Sequence, residues 1–123
     1  MDGPILVVDD NAATSAALVA VLELRDYETV VAYDGLDAFA QLRAGLRPSL
    51  IVLDWMMPNL DGCGFLEKVG ADPQLKAITI VVYSAVGYCI VADDVAATLS
   101  KSIDPSVLLD IVARLTGRDG HDS

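Results

Sequence analysis

Five short apolar runs, each separated from the next by a stretch long enough for a helix, constrain this chain more than any other feature. They are Ile5 to Val8, Thr29 to Ala32, Ser49 to Leu53, Ile78 to Tyr83 and the weaker Ala97 to Ser100. Runs of this length, rich in β-branched residues, read as strands. The third is almost wholly apolar, as strands covered on both faces are. Between the first two, Leu18, Val21, Leu22 and Arg25 fall at i, i+3, i+4 and i+7, so one helical stripe faces a core. Asp34-Gly35 reads as a turn, after which Ala38, Phe39 and Leu42 begin a second stripe. Phe65, Leu66 and Val69 mark a third before Asp72-Pro73. Asp104-Pro105 has the form of an N-cap followed by proline at the first helical position. Val107, Leu108, Ile111, Val112 and Leu115 then give the last helix an apolar face. Strands alternating with helices predict an α/β fold with a doubly wound, five-stranded parallel sheet.

The 123 residues, 54% of them hydrophobic, suffice for one domain with its own core. We expect that domain to span 1–123, with a core of about 5–116 and a polar tail at 117–123. No internal repeat or linker interrupts it. No apolar run approaches the ~18 residues of a membrane span. The start, Met1-Asp2-Gly3-Pro4, lacks the charge and apolar stretch of a signal peptide, so a cytoplasmic location is expected. The formal net charge is −10, from 18 acidic and 8 basic residues, with no lysine or arginine cluster. Such a surface repels phosphate backbones, which argues against direct nucleic-acid binding. Cys63 and Cys89 fit neither a CxxC nor a zinc spacing and read as reduced thiols, and His121 lies in the polar tail.

In open α/β sheets ligands bind beyond the carboxyl ends of the strands. The first run ends in Asp9 and Asp10, the third in Asp54, the fourth in Ser84 and the fifth in Lys101. Singly, each has a bland reading: a solvated turn, an N-cap, a loop residue. Jointly they bring three carboxylates, a hydroxyl and an ammonium to one sheet edge. Two carboxylates ~5 Å apart repel by about 3 kcal/mol at an effective dielectric of ~20. A hard divalent cation removes that repulsion. Mg²⁺ takes oxygen ligands, keeps several waters and uses one or two carboxylates together with a phosphate. The set fits Mg²⁺ plus a phosphoryl group better than an anion alone.

Asp9-Asp10, the run Leu53-Asp54-Trp55-Met56-Met57-Pro58-Asn59-Leu60-Asp61-Gly62, then Ser84-Ala85 and Lys101 resemble the signature of response-regulator receiver domains. The resemblance runs from about Ile5 to Leu115. It implies a flavodoxin-like strand order of 2-1-3-4-5. It also implies that Asp54 accepts a phosphoryl group from a sensor histidine kinase, a histidine phosphotransfer protein or a small donor, in service of a downstream protein. On the same grounds Asp10, Asp54 and the backbone carbonyl of Met56 would hold Mg²⁺, with Asp9 acting through water. Lys101 and Ser84 would bind phosphoryl oxygens, and the small Ala85 would leave room for the donor. Met57-Pro58 and Asp61-Gly62 would shape the loop and carry no chemistry. Such a protein is not an enzyme beyond its own phosphorylation and dephosphorylation.

The second half departs from the family pattern. The aromatic residue usual three positions before the lysine is Thr98, and the proline usual after the lysine is Ser102. A cis bond before a non-proline residue costs roughly 2.5–4 kcal/mol, so Lys101–Ser102 is expected to be trans. Only 101 − 84 = 17 positions separate Ser84 from Lys101. The helix expected between the fourth and fifth strands, within residues 86–96, should therefore be short or irregular, with signalling leaving by a different surface or by an order–disorder change in this segment. Met56 and Val86, both apolar, flank the phosphoryl position and imply a long-lived phosphoaspartate. These departures support an alternative, a pseudo-receiver acting as a phosphorylation-independent interaction module. The retained Asp9, Asp10, Asp54, Ser84 and Lys101 argue against it. A haloacid-dehalogenase-type phosphatase fits poorly, because Met56 stands where its second aspartate would be. A flavodoxin-like FMN carrier fits poorly because Asp9-Asp10 would repel the phosphate.

Overall fold

The computed structural model describes residues 3–54, 62–75, 78–84, 97–100 and 105–116. Its elements run β1 (Ile5–Val8), α1 (Ala12–Glu23), β2 (Thr29–Ala32), α2 (Gly35–Arg43), β3 (Leu50–Asp54), α3 (Gly62–Ala71), β4 (Ile80–Ser84), β5 (Ala97–Ser100) and α4 (Pro105–Thr116). The strands form one parallel sheet in the order β2-β1-β3-β4-β5, the flavodoxin-like order that the resemblance implies. The expected irregular helix within 86–96 and the Lys101–Ser102 peptide lie outside the described residues.

Strand alternation explains why the central strands are apolar at every position. Leu6, Val8, Ile51, Leu53, Ile80 and Val82 point to one face, where Ala38 and Leu42 of α2 and Phe65, Leu66 and Val69 of α3 cover them. Ile5, Val7, Leu50, Val52 and Val81 point to the other, beneath Leu18 and Leu22 of α1 and Leu108, Leu109 and Val112 of α4. With two faces to cover, no strand position is left for a polar residue until the carboxyl end.

Several boundaries differ from the sequence reading. The third and fourth strands begin and end slightly later than expected, so Asp54 and Ser84 are themselves the last strand residues. Helix α1 stops at Glu23, short of Arg25. There the chain turns through Asp26 at φ 66°, a left-handed conformation that a short polar side chain tolerates, and the Tyr27 amide donates back to the Leu22 carbonyl. Asp34 is an N-cap rather than a turn residue. Its carboxylate accepts from the Asp37 amide at 2.7 Å, while the Asp37 carboxylate accepts from the Tyr33 amide at 3.2 Å. In α4 the buried row is Leu108, Leu109, Val112 and Thr116, and Val107 and Leu115 face solvent. The covered row is the one that packs on Ile5, Val7, Leu50, Val52 and Val81 of the sheet. Among the described residues, no helix is long and apolar enough to cross a membrane.

Candidate metal and phosphoryl centre

Three carboxylates meet because neighbouring strands are paired in register. β1 and β3 align Val8 with Leu53, so the residues that follow, Asp9 and Asp54, emerge side by side at the carboxyl edge. In the alternation of β3, Asp54 continues the Leu50 and Val52 set, which brings it to the α1 and α4 face. Asp9 and Asp54 are almost fully buried, 1% and 3% exposed, and Asp10 is exposed. Each of the three offers a carboxylate oxygen, and these oxygens lie within 4.8 Å of one another.

Local structure fixes Asp9. Its Oδ1 accepts the Asn11 amide at 2.8 Å, and its own amide donates to the Ala32 carbonyl of β2 at 3.1 Å. Asn11 is the N-cap of α1, with extended backbone angles and a side-chain oxygen that accepts from the Thr14 amide at 3.0 Å. The sequence reading missed Asn11 as a member of this centre. An asparagine directly before an alanine-rich stretch was the available signal. The cap also sets the acidic group beside the positive end of the α1 dipole, which favours anions.

That field is a partial remedy. At separations near 4.8 Å, Asp9 and Asp54 repel by about 3 kcal/mol at an effective dielectric of ~20. Burial removes the water that would otherwise screen them. An all-oxygen, open-sided donor set of this charge matches a hard divalent cation and offers a poor match to zinc, which prefers nitrogen and sulfur.

The other sequence-predicted residues are placed less fully. Ser84 closes β4, opposite Ser100 in register, one strand over from Asp54 and its partner Tyr83. Thr98 lies in β5, opposite Val82. Met56, Ala85, Val86 and Lys101 lie outside the described residues. Lys101 follows β5 directly in the chain.

Comparison with known proteins identifies the family and the fold. Residues 5–113 match the family model described as response regulator receiver domain. The chain is 40% identical over 85 residues to the response regulator PleD of Caulobacter vibrioides, covering 69% of this chain and 18% of that protein. It is 32% identical over 84 residues to the chemotaxis protein CheY1 of Helicobacter pylori, covering 68% of each. Among solved structures, the signal receiver domain of a signal transduction histidine kinase from Syntrophus aciditrophicus superposes with a TM-score of 0.80 at 25% identity. That match covers 98% of this chain and 95% of the other. The segment shared with PleD is thus a small part of a longer protein.

Proposed function

The chain belongs to the response regulator receiver domain family, and from that membership we propose that it is a phosphoacceptor, taking a phosphoryl group onto Asp54 in a Mg²⁺-dependent reaction. Receivers are signalling modules rather than enzymes acting on a separate metabolite. On this reading residues 1–123 hold one receiver domain. Its donor is a sensor histidine kinase or histidine phosphotransfer protein, and its phosphorylated form is recognised by a downstream protein.

The observation that carries the reading is the meeting of Asp9, Asp10 and Asp54 within 4.8 Å at the carboxyl edge of the sheet, with two of the three buried. Asp10, Asp54 and the Met56 carbonyl would hold Mg²⁺, and Asp9 would orient a bound water. When bound, the ion supplies the positive charge that offsets the carboxylates and the incoming phosphoryl oxygens. A carboxylate oxygen of Asp54 attacks phosphorus as the P–N bond to the donor histidine breaks, giving an acyl phosphate. Ser84 and Lys101 would bind oxygens of the transferred group. Phosphoryl transfer asks the protein for positioning and charge neutralisation. The rigid register of β1 and β3 supports the first, and the cation that the acidic trio would hold would serve the second.

Intact-protein mass after incubation with acetyl phosphate tests this. A phosphoryl adduct should form on the wild type with Mg²⁺ and be removed by hydroxylamine. It should be missing without Mg²⁺ and in Asp54→Ala. A wild type that takes up no phosphoryl group, from acetyl phosphate or a cognate kinase, would sink the proposal in favour of a phosphorylation-independent interaction module.

A further inference from the structure

Helices α2 and α3 run back from the carboxyl edge, and their last turns meet at the opposite end of the sheet. Between them lies an open cleft of about 670 Å³ lined by Phe39, Arg43, Lys68, Asp72 and Gln74. The Arg43 guanidinium carbon is 5.8 Å from the centroid of the Phe39 ring, and Lys68 Nζ is 5.4 Å from it. Two like charges thus lie against one aromatic ring. Among the described residues, neither cation forms an ion pair with a carboxylate. Asp72 is turned to its own loop, where its Oδ1 accepts from the Gln74 amide at 2.9 Å. Arg47 braces the wall. Its guanidinium donates to the carbonyls of Leu42 and Leu46 at 2.9 and 2.8 Å and to Gln74 Oε1 at 3.2 Å.

We infer that this cleft is a docking site for an acidic segment of a partner protein, with two carboxylates received by Arg43 and Lys68 over the Phe39 ring. Charge selects the occupant. Three of the chain's 8 basic residues, Arg43, Arg47 and Lys68, gather here on a molecule of net charge −10. A short acidic segment meets this local positive field, whereas a long polyanion such as nucleic acid would be repelled by the rest of the surface. The shape of the site agrees. An open trough with both cations near the Phe39 ring suits an extended chain presenting spaced carboxylates more than an enclosed small anion. The Phe39 ring adds an apolar floor for the stems between them. The amino ends of β3 and β4 lie here, so a docked partner leaves Asp54 at the far edge accessible.

Fluorescence anisotropy with a labelled nonapeptide of alternating Glu and Leu, at low salt, tests the inference. Its uncharged twin of alternating Gln and Leu serves as control. The acidic peptide should bind the wild type, weaken as salt is raised, and lose at least about tenfold in affinity on Arg43→Glu and on Lys68→Glu. Circular dichroism checks that these exposed positions leave the fold intact. In parallel, amide chemical shifts of the 15N-labelled protein should move around Phe39 and Lys68, with those of Asp9 and Asp54 unchanged. Equal binding of the twin, equal binding by the charge-reversed proteins, or no binding at millimolar peptide would each overturn the inference, leaving the two cations as dipole-offsetting residues of their helix ends. Competition by inorganic phosphate at the same concentrations would overturn it in favour of a small-anion site. Tighter binding of a single-stranded oligonucleotide would do so in favour of nucleic acid.

Discussion

At the carboxyl ends of β1 and β3 three carboxylates meet within 4.8 Å, and two of them are buried. At the amino ends of β3 and β4 two exposed cations lie against one phenylalanine ring. Both ends gather like charges, but by different means. The carboxylates are held together by strand register, which cannot relax without breaking the sheet. The cations ride on long side chains at helix ends, where water, the helix dipoles and the ring quadrupole all moderate their repulsion. The acidic end therefore carries a concentration of negative charge that the fold itself imposes. The basic end carries a weak, salt-sensitive preference for negative charge.

If register is what imposes the acidic cluster, damage to the strand beneath it should be the most costly change. Leu53 is fully buried among Leu6, Ile51, Phe65 and Val82 and directly precedes Asp54. Leu53→Ala should lower unfolding free energy by about 3 kcal/mol, within the 2–5 kcal/mol usual for such truncations. Leu24→Ala, at a site 81% exposed, should change it by less than about 0.5 kcal/mol. Urea melts followed by circular dichroism measure both. Similar small losses in the two variants would mean that the sheet does not hold the site rigidly.

A comparable but smaller effect should separate the two ends directly. Mg²⁺ that binds only the folded protein raises stability by about 2.7 kcal/mol at a hundred times its dissociation constant, or roughly 10 °C for a chain of this size. The wild type and the Arg43→Gln, Lys68→Gln double variant should show the same rise in thermal midpoint. Asp9→Asn, Asp10→Asn should start at a higher midpoint without the ion, because repulsion is relieved, and should gain little from adding it. A rise of equal size in that variant would move the cation site away from this cluster.

The contrast also shows what could be read from the sequence alone. Strands covered on both faces leave a plain mark, so β1 and β3 were legible, and with them the carboxylates at their ends. The topology followed from the alternation of elements and from the resemblance. The basic cleft was not legible, because Arg43 and Lys68 lie 25 positions apart and only the packing of α2 on α3 brings both to Phe39. Helix ends were misjudged for a related reason. Arg25 satisfies the spacing of the α1 stripe, yet the turn through Asp26 ends the helix first. In α4 the spacing of Val107, Ile111 and Leu115 is as helical as that of Leu108, Leu109 and Val112, and only the sheet decides which row is covered.

Asn11 offers the finest cut between the demands of local structure and of charge at the acidic end. It caps α1 through its side chain and holds Asp9 through its amide, so capping and site geometry coincide in one residue. Asn11→Ala should cost about 1 kcal/mol of stability, the usual loss for a missing cap, whether or not Mg²⁺ is present. Asn11→Asp keeps an acceptor for the Thr14 amide and favours the helix dipole, yet adds a fourth carboxylate next to Asp9 and Asp10. It should be nearly neutral with saturating Mg²⁺ and less stable without it, by an amount that shrinks as salt is raised. Thermal melts of both variants in EDTA and in Mg²⁺ separate the terms. If Asn11→Asp behaved alike in the two conditions, the charge at this edge would be fully met within the protein, and the demand for a cation would rest on no more than proximity.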